Sequence, residues 1–181
     1  MSYDVAEVVR FWFEECQPRQ WFEKDPAFDA EIRRRFAATH QAATRGELFH
    51  WRATPDGRLA EIVVLDQFSR NMFRDTPLAF ALDALALVLA QEAVAHGADH
   101  ELPLSQRAFV YMPYMHSESC LIHEQAVKLF NQPGLEYNLK YELQHQRIVE
   151  RFGRYPHRNA ILGRDSTPEE IEFLKQPGSS F

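Results

Sequence analysis

Apolar residues recur at helical spacing along almost the whole chain. Val5, Val8, Val9 and Trp12 occupy positions i, i+3, i+4 and i+7 of one face, which predicts a first helix that ends before Pro18. The same periodicity, with glycine and proline as stops, predicts further helices over residues 25–46, 59–71, 77–97, 103–112, 119–132, 135–152 and from 167 onward. The pattern therefore predicts an all-α fold of about eight helices in a single domain over residues 1–181. Short connections favour antiparallel neighbours.

Several local patterns refine this prediction. Residues 54–57, Thr-Pro-Asp-Gly, predict a turn. Residues 62–65 have strand propensity, but a helix places Asp66 and Arg70 four residues apart on one face, so helix is favoured. The segment 78–90 is apolar nearly all round, which predicts a central, buried helix.

Proline and the large aromatics give further expectations. Pro113 should kink or end its helix, because it lacks a backbone N–H. Thr167 and Glu170 form a capping box that starts the last helix. Trp21 and Phe22 lie in a connection, and large aromatics there are expected to fold back onto the core.

Composition and charge exclude several classes of protein. The chain is 45% hydrophobic with a net charge of -6, so a nucleic-acid partner is not expected. Cys16 and Cys120 are far apart and form no Cys-x-x-Cys pair, which fits a reducing compartment. No signal peptide is evident, and the apolar run 78–90 contains Asp83 and is too short to span a bilayer. We therefore expect a cytoplasmic protein without a membrane partner.

Two distant segments carry nearly the same polar phrase. Residues 70–77 and 158–168 each read Arg-Asn, a short apolar stretch, Arg-Asp, and then Thr-Pro. His157 directly precedes the second copy. Such a density of polar groups indicates a polar centre shared by distant parts of the chain.

The residues of these phrases and a His-Ser-Glu segment after Pro113 are the candidate ligand-binding set. Arginine outnumbers lysine 16 to 4, which favours planar, bidentate partners over solvated surface charge. If the segments converge, they suit a small anionic ligand, a carboxylate or phosphate, with His116 or His157 as general acid or base. No cofactor is predicted. The candidates are Asp66, Arg70, Asn71, His116, Glu118, Arg154, His157, Arg158 and Asn159.

A purely structural interpretation of the same residues stays open. Asp66 and Arg70 can form a helix ion pair, Asn71 and Asn159 can cap helix ends, and Arg158 can bond to carbonyls at a helix junction. Polar networks that hold a fold together and those that bind a ligand look alike in sequence.

Metal binding is not predicted. Residues 47–50 and 142–145 both match the Glu-x-x-His unit of di-iron bundles, but 47–50 lies in a short, turn-rich stretch. His116, Cys120 and His123 share roughly one helix face without a fourth ligand at recognisable spacing.

The longer motifs resemble the mainly bacterial family known as domain of unknown function 924, over almost the whole chain. Ser69 is a minor departure from the proline expected there. The family has no established catalytic residues to carry over. The motifs are Phe11-Trp12-Phe13, Trp21-Phe22, residues 65–71, residues 115–118 and residues 152–159.

This resemblance implies a tetratricopeptide-like stack of antiparallel helix pairs, although the repeat signature itself is absent. Stacked-helix folds often hold a partner protein or another copy of themselves, so the resemblance favours a scaffold. The polar density favours the alternative, a binding or catalytic pocket for a small anionic metabolite. Whether the protein is an enzyme is left open.

Overall fold

The computed structural model describes residues 3–181, and within that range the chain is all-helical without a strand, which confirms the predicted fold class. Two π-helical turns, Phe11–Glu15 and Val64–Phe68, extend the first α-helix and join the third to the fourth. Short 3-10 turns occupy Pro18–Trp21, Phe49–Ala53, Pro77–Ala79, Ala98–Glu101 and Pro156–Arg158. The α-helices are α1 Val5–Arg10, α2 Pro26–Thr44, α3 Pro55–Val63, α4 Ser69–Met72, α5 Asp83–Ala95, α6 Leu104–Met115, α7 Cys120–Phe130, α8 Glu136–Phe152, α9 Asn159–Leu162 and α10 Pro168–Leu174.

Helix starts follow the capping residues. Asp25 accepts hydrogen bonds from the first turn of α2, and Pro26 is its first helical residue. The predicted capping box at α10 is confirmed, since Thr167 and Glu170 each accept a backbone N–H from the other.

The turn predicted at residues 54–57 is wrong, because these residues start α3. Thr54 Oγ1 accepts the Gly57 N–H at 3.1 Å, and Pro55 takes the first helical position, where a missing N–H costs nothing. Gly57 is required by close approach, since a Cβ there would lie 1.9 Å from the Trp51 carbonyl oxygen.

The helix predicted over 77–97 is also corrected. It opens with a 3-10 turn at Pro77–Ala79, and α5 itself begins only at Asp83. Nor is the segment central and buried, because Leu78 and Val88 are more than half exposed. Helix α5 packs on α3 and α6 through a face of small residues and one leucine, Ala86, Leu89, Ala90 and Ala93.

The same segment, Pro77–Ala95, is the candidate membrane span among the described residues, by length and composition alone. Its Asp83 and Glu92 side chains pair with arginines from other elements, as expected of a helix that packs within a fold.

Two further expectations had mixed outcomes. Pro113 does not end its helix, since it lies inside α6, which continues to Met115. Trp21 folds back and donates its Nε1–H to the Trp12 carbonyl at 2.9 Å, whereas Phe22 stays 65% exposed.

The core contains an aromatic cluster around Trp12. The Trp12 ring contacts Phe28, Phe68 and Phe109 at centroid distances of 5.5 to 6.1 Å. This cluster includes Phe68 of the π-helical turn Val64–Phe68, so close packing holds the backbone that carries the candidate polar residues.

Consecutive helices α5 to α8 pack on one another. The tetratricopeptide-like arrangement stays a prediction.

Gly57→Ala should destabilise the protein. Alanine in a helix normally stabilises by about 1 kcal/mol relative to glycine. Here the added methyl group meets the Trp51 backbone, so we expect a loss of about 2 to 3 kcal/mol in the free energy of unfolding, measured by urea denaturation. Gly46→Ala is the control. Its methyl group enters open space, so the expected loss of about 1 kcal/mol comes only from placing alanine in a left-handed backbone conformation. A Gly57→Ala protein as stable as wild type contradicts the assignment of close approach.

Candidate functional site

Both Arg-Asn phrases place their arginine on one carboxylate, that of Asp83. Arg70 Nη1 and Nη2 donate to Asp83 Oδ1 and Oδ2, each at 3.0 Å. Arg158 Nη1 donates to Asp83 Oδ2 at 3.3 Å. Arg70 lies in α4, Asp83 begins α5, and Arg158 ends the 3-10 turn Pro156–Arg158. The carboxylate therefore joins three segments that are distant in sequence.

Next to this centre, Asp66 and His116 form a second pair. Asp66 lies in the π-helical turn, a geometry frequent at functional sites, and its Oδ1 is 2.8 Å from Nδ1 of His116 at the end of α6. Burial alone would raise the pKa of Asp66, but the charge of Arg70 and the His116 hydrogen bond hold it well below its usual range. Burial, together with Arg70, lowers the pKa of His116. At neutral pH the pair is therefore a carboxylate and a neutral imidazole.

Arg158 is the least compensated charge of the site. Its guanidinium lies between the rings of Phe80 and Tyr155, 4.6 Å from each centroid. Only its bond to Asp83 is formed with the residues that the structure describes, and its Nε is buried without a partner there. Burial, and then the nearby charge of Arg70, lower the pKa of Arg158. Among the described residues, its positive charge is thus offset by one shared carboxylate and two ring faces.

Three of these residues, Arg70, His116 and Arg158, line a cavity of about 650 Å³. Arg70, His116, His157 and Arg158 supply its polar end. Burial lowers the pKa of His157 to about 4, so this imidazole is neutral at physiological pH. The rest of the lining mixes aromatic with polar side chains. The polar ones include Glu23, Asn71, Arg74 and Asp75, and the aromatic ones include Trp21, Phe80, Tyr137, Tyr141, Tyr155 and Phe181.

The cavity extends to residues near position 181. Phe181 stacks on the His145 ring with centroids 3.8 Å apart and meets the His157 ring edge-on at 6.0 Å. His145 Nδ1 donates to the Tyr141 carbonyl at 2.8 Å, and burial lowers the pKa of His145 to about 3. A smaller cavity of about 360 Å³ lies beside the same centre and shares Phe80, His116 and Arg158 with the larger one.

Glu118 lies beside the centre but pairs elsewhere. Its two oxygens accept from Arg164 Nη1 and Nη2 at 2.6 and 2.8 Å, and Oε1 also accepts the Tyr155 N–H. The carboxylate lines the smaller cavity, yet its hydrogen bonds mainly fix the loop that holds Tyr155.

The remaining candidates belong to two separate networks. Arg154 and Asn159 both donate to Glu170, which fixes α10 against the preceding turn. Asn71 donates to Asp29 at 2.8 Å, beside the ion pair of Arg74 with Asp29, although Asn71 also lines the larger cavity. Neither asparagine side chain caps a helix, although Asn159 occupies the C-cap position of the 3-10 turn Pro156–Arg158. The Arg158 side chain bonds to a carboxylate rather than to carbonyls. The structure thus brings together Asp66, Arg70, His116, His157 and Arg158, with Glu118 adjacent.

Sequence reasoning missed Asp83, Phe80 and Tyr155. In the sequence, Asp83 is distinguished only as an interruption of the apolar run 78–90. A single carboxylate in such a run must be paired when buried, and that was the available signal. The two aromatic residues that enclose Arg158 carried no comparable signal, because aromatic residues also recur through the core.

The Glu-x-x-His units do not assemble a metal centre. Glu142 Oε1 lies 2.6 Å from His123 Nδ1, and His123 Nε2 lies 2.8 Å from the Ser117 carbonyl, so His123 is used on both sides. Over residues 3–181 no group of three or more His, Cys, Asp or Glu side chains could hold a metal ion. Burial raises the pKa of Glu142, and the buried pair holds α7 on α8.

Comparison with known proteins places the chain in a family. Residues 8–178 match the family described as "Bacterial protein of unknown function (DUF924)". The chain belongs to this family. A solved structure from Agrobacterium tumefaciens, of a protein of unknown function, is similar to it with 43% identity and a TM-score of 0.90. The similarity covers 94% of this chain and 96% of that one. None of the curated proteins compared with the chain matches it.

Asp83→Asn should destabilise the protein by about 3 kcal/mol, because removing one partner of a largely buried ion pair leaves charge uncompensated, here on Arg70 and Arg158. Urea denaturation measures the change. Glu31→Gln is the matched control, since it breaks an exposed pair with Arg34 and should have no measurable effect. Equal stabilities of the two variants would refute the central role of Asp83.

Glu170→Gln should flatten the acid limb of the stability curve. Hydrogen bonds from Arg154 lower the pKa of Glu170 from 4.5 to about 2. The ionised carboxylate therefore contributes stability above pH 4.5 that is lost as the pH falls towards about 2. Unfolding free energies at about pH 5 and about pH 3 should differ less in the variant than in wild type. Glu172→Gln, an exposed change in the same helix, should keep the wild-type slope, and a Glu170→Gln slope equal to wild type is the contrary result.

Proposed function

We propose that the protein binds a small anionic molecule, through a carboxylate or phosphate group, in the cavity of about 650 Å³. One observation carries this proposal. The Arg158 guanidinium is only 8% exposed and lines the cavity, yet Asp83 is its single hydrogen-bond partner among residues 3–181. A buried charge with unused donors favours an anionic partner.

The charge arrangement supports an anion at this position. Arg70 occupies both oxygens of Asp83, and Asp66 is already bonded to Gln67 and His116. Both carboxylates are thus already engaged by other donors. Arg158 Nη2 forms no hydrogen bond to the described residues and is not among the buried unpartnered atoms, so it is the donor that a ligand can reach. A bound anion would offset both the burial and the repulsion from Arg70.

The apolar part of the lining indicates the rest of the ligand. Trp21, Phe80, Tyr137 and Tyr155 line the cavity together with Met112 and Met115. Aromatic and methionine side chains can pack against a planar or apolar body. The preferred ligand is therefore an aromatic or otherwise apolar molecule that carries one anionic group.

The alternative, a scaffold for a partner protein or another copy of the chain, has a different basis. Leu78 and Val88 are 56% and 57% exposed and leave part of the 77–95 segment apolar and uncovered. Single exposed apolar residues are common on protein surfaces, so they support this candidate less strongly than Arg158 supports the pocket.

Isothermal titration with benzoate, phenyl phosphate and phenylpyruvate tests the pocket. Wild type should bind at least one of them more tightly than acetate, which lacks the ring, and than benzyl alcohol, which lacks the charge. Arg158→Gln should weaken that binding about 10- to 100-fold, because a hydrogen bond to a charged group contributes about 1.5 to 3 kcal/mol.

The control is Arg45→Gln, which removes a mostly exposed arginine and should leave the affinity unchanged. Circular dichroism of both variants separates lost binding from lost folding. The pocket is refuted if none of the three aromatic anions binds wild type, or if a folded Arg158→Gln protein binds them as wild type does. In that case, analytical ultracentrifugation of wild type and Val88→Glu examines the scaffold alternative.

A further inference from the structure

His116 is held in one orientation and has one nitrogen free. Its Nδ1 lies 2.8 Å from Asp66 Oδ1, and because Asp66 is ionised, Nδ1 carries the proton and donates it. The lone pair therefore stands on Nε2. This nitrogen forms no hydrogen bond to the described residues, and it is not among the buried unpartnered atoms. Since the side chain is 16% exposed and lines both cavities, Nε2 is open to a bound molecule.

Asp66, which orients the His116 imidazole, is itself held by Gln67 and Arg70. Its Oδ2 accepts from Gln67 Nε2 at 2.6 Å, and Arg70 Nη1 lies 3.1 Å from Oδ1. The carboxylate is 1% exposed, so water does not compete for it. A carboxylate in this position selects the histidine tautomer and stabilises the imidazolium that forms when Nε2 takes a proton. Asp66 is accordingly a positioning residue.

The chain offers no nucleophile for this base to activate. Among residues 3–181, no hydroxyl or thiol group is hydrogen-bonded to His116 Nε2, and the adjacent Ser117 hydroxyl accepts the Ser119 N–H at 3.2 Å. The proton that Nε2 receives therefore comes from water or from a bound molecule. A neutral imidazole is a moderate base, and a C–H group beside a ketone is acidic enough to be a proton donor to it.

We infer that His116 is the general base of a proton-transfer site, which removes a proton from the carbon beside the ketone of a bound 2-oxo acid. This inference rests on the proposed anion pocket, because Arg158 would bind the carboxylate of that acid and the aromatic wall its apolar side chain. Arg70 and Arg158 place positive charge where the negative charge of the enolate would develop.

The step is balanced without a further reactant. The Nε2 lone pair takes the proton from C3 of the 2-oxo acid, and the C–H electron pair becomes the C2–C3 double bond. The C2 carbonyl pair moves onto oxygen, which gives an enolate beside an imidazolium. Return of the proton to C3 regenerates the 2-oxo acid. In D₂O the imidazolium exchanges its proton with solvent, so a deuteron returns and the substrate becomes labelled at C3.

Phenylpyruvate in D₂O tests the inference, with loss of its C3 proton signal followed by ¹H NMR. After subtraction of a protein-free blank, wild type should catalyse exchange. His116→Gln, whose amide can still donate to Asp66, should lower that catalysed rate about 100-fold or more. His96→Gln removes an exposed histidine at the end of α5 and is the matched control, with an unchanged rate.

A measurement on wild type complements the variants, in case His116→Gln folds poorly. The ¹⁵N NMR shifts of His116 should report a neutral ring with its proton on Nδ1 at neutral pH. A ring protonated on Nε2, or on both nitrogens, overturns the base assignment.

The outcomes separate this inference from the pocket on which it rests. Titrated binding of phenylpyruvate without catalysed exchange overturns the base and leaves the pocket standing. Exchange that survives His116→Gln also overturns the base. Binding of benzoate or phenyl phosphate but not of phenylpyruvate overturns the 2-oxo acid assignment. Absence of binding by all three anions overturns both proposals.

Discussion

The candidate site depends on one shared carboxylate, that of Asp83. Two guanidinium groups at this depth repel each other, and Asp83 is the anion that lies between them. By accepting from both, it fixes α4 and the 156–158 turn relative to the start of α5. Phe80, three residues before Asp83, is thereby placed against Arg158. The polar end and one aromatic wall of the larger cavity both follow from this arrangement.

Around this centre, the arginine-rich composition has two distinct uses. Many arginines are matched one to one with a carboxylate, as Arg74 is with Asp29, Arg154 with Glu170 and Arg164 with Glu118. These pairs lock loops and the last helix in place. Arg158 differs, because it shares its carboxylate with Arg70 and has donors left over. That difference separates a group that holds the fold from one that is available to a ligand.

The sequence allowed much of this to be predicted. Hydrophobic periodicity and capping residues predicted the helices, since both are local. The paired Arg-Asn phrases predicted polar side chains that meet, and Arg70 and Arg158 do meet at one carboxylate. The partners could not be predicted, because pairing depends on distances across the fold. Glu118 pairs with Arg164, and Asn159 is hydrogen-bonded to Glu170. Asp83, which pairs with Arg70, was only a charged residue in a segment predicted to be a buried helix. The prediction of a buried helix over residues 77–97 was wrong, because apolar composition does not specify which face of a helix a neighbour covers.

The span between Arg158 and Asp83 also constrains the order of folding. Their hydrogen bond closes a loop of 75 residues, which carries a large entropic cost and so forms after the local helices. The aromatic cluster around Trp12 needs no residue beyond Phe109, and it can collapse while the C-terminal third is still unstructured. During synthesis, Asp83 can pair with Arg70, but it cannot pair with Arg158 until residue 158 has left the ribosome. The polar end of the cavity is thus a late product of folding, and nascent chains that end before residue 158 lack it.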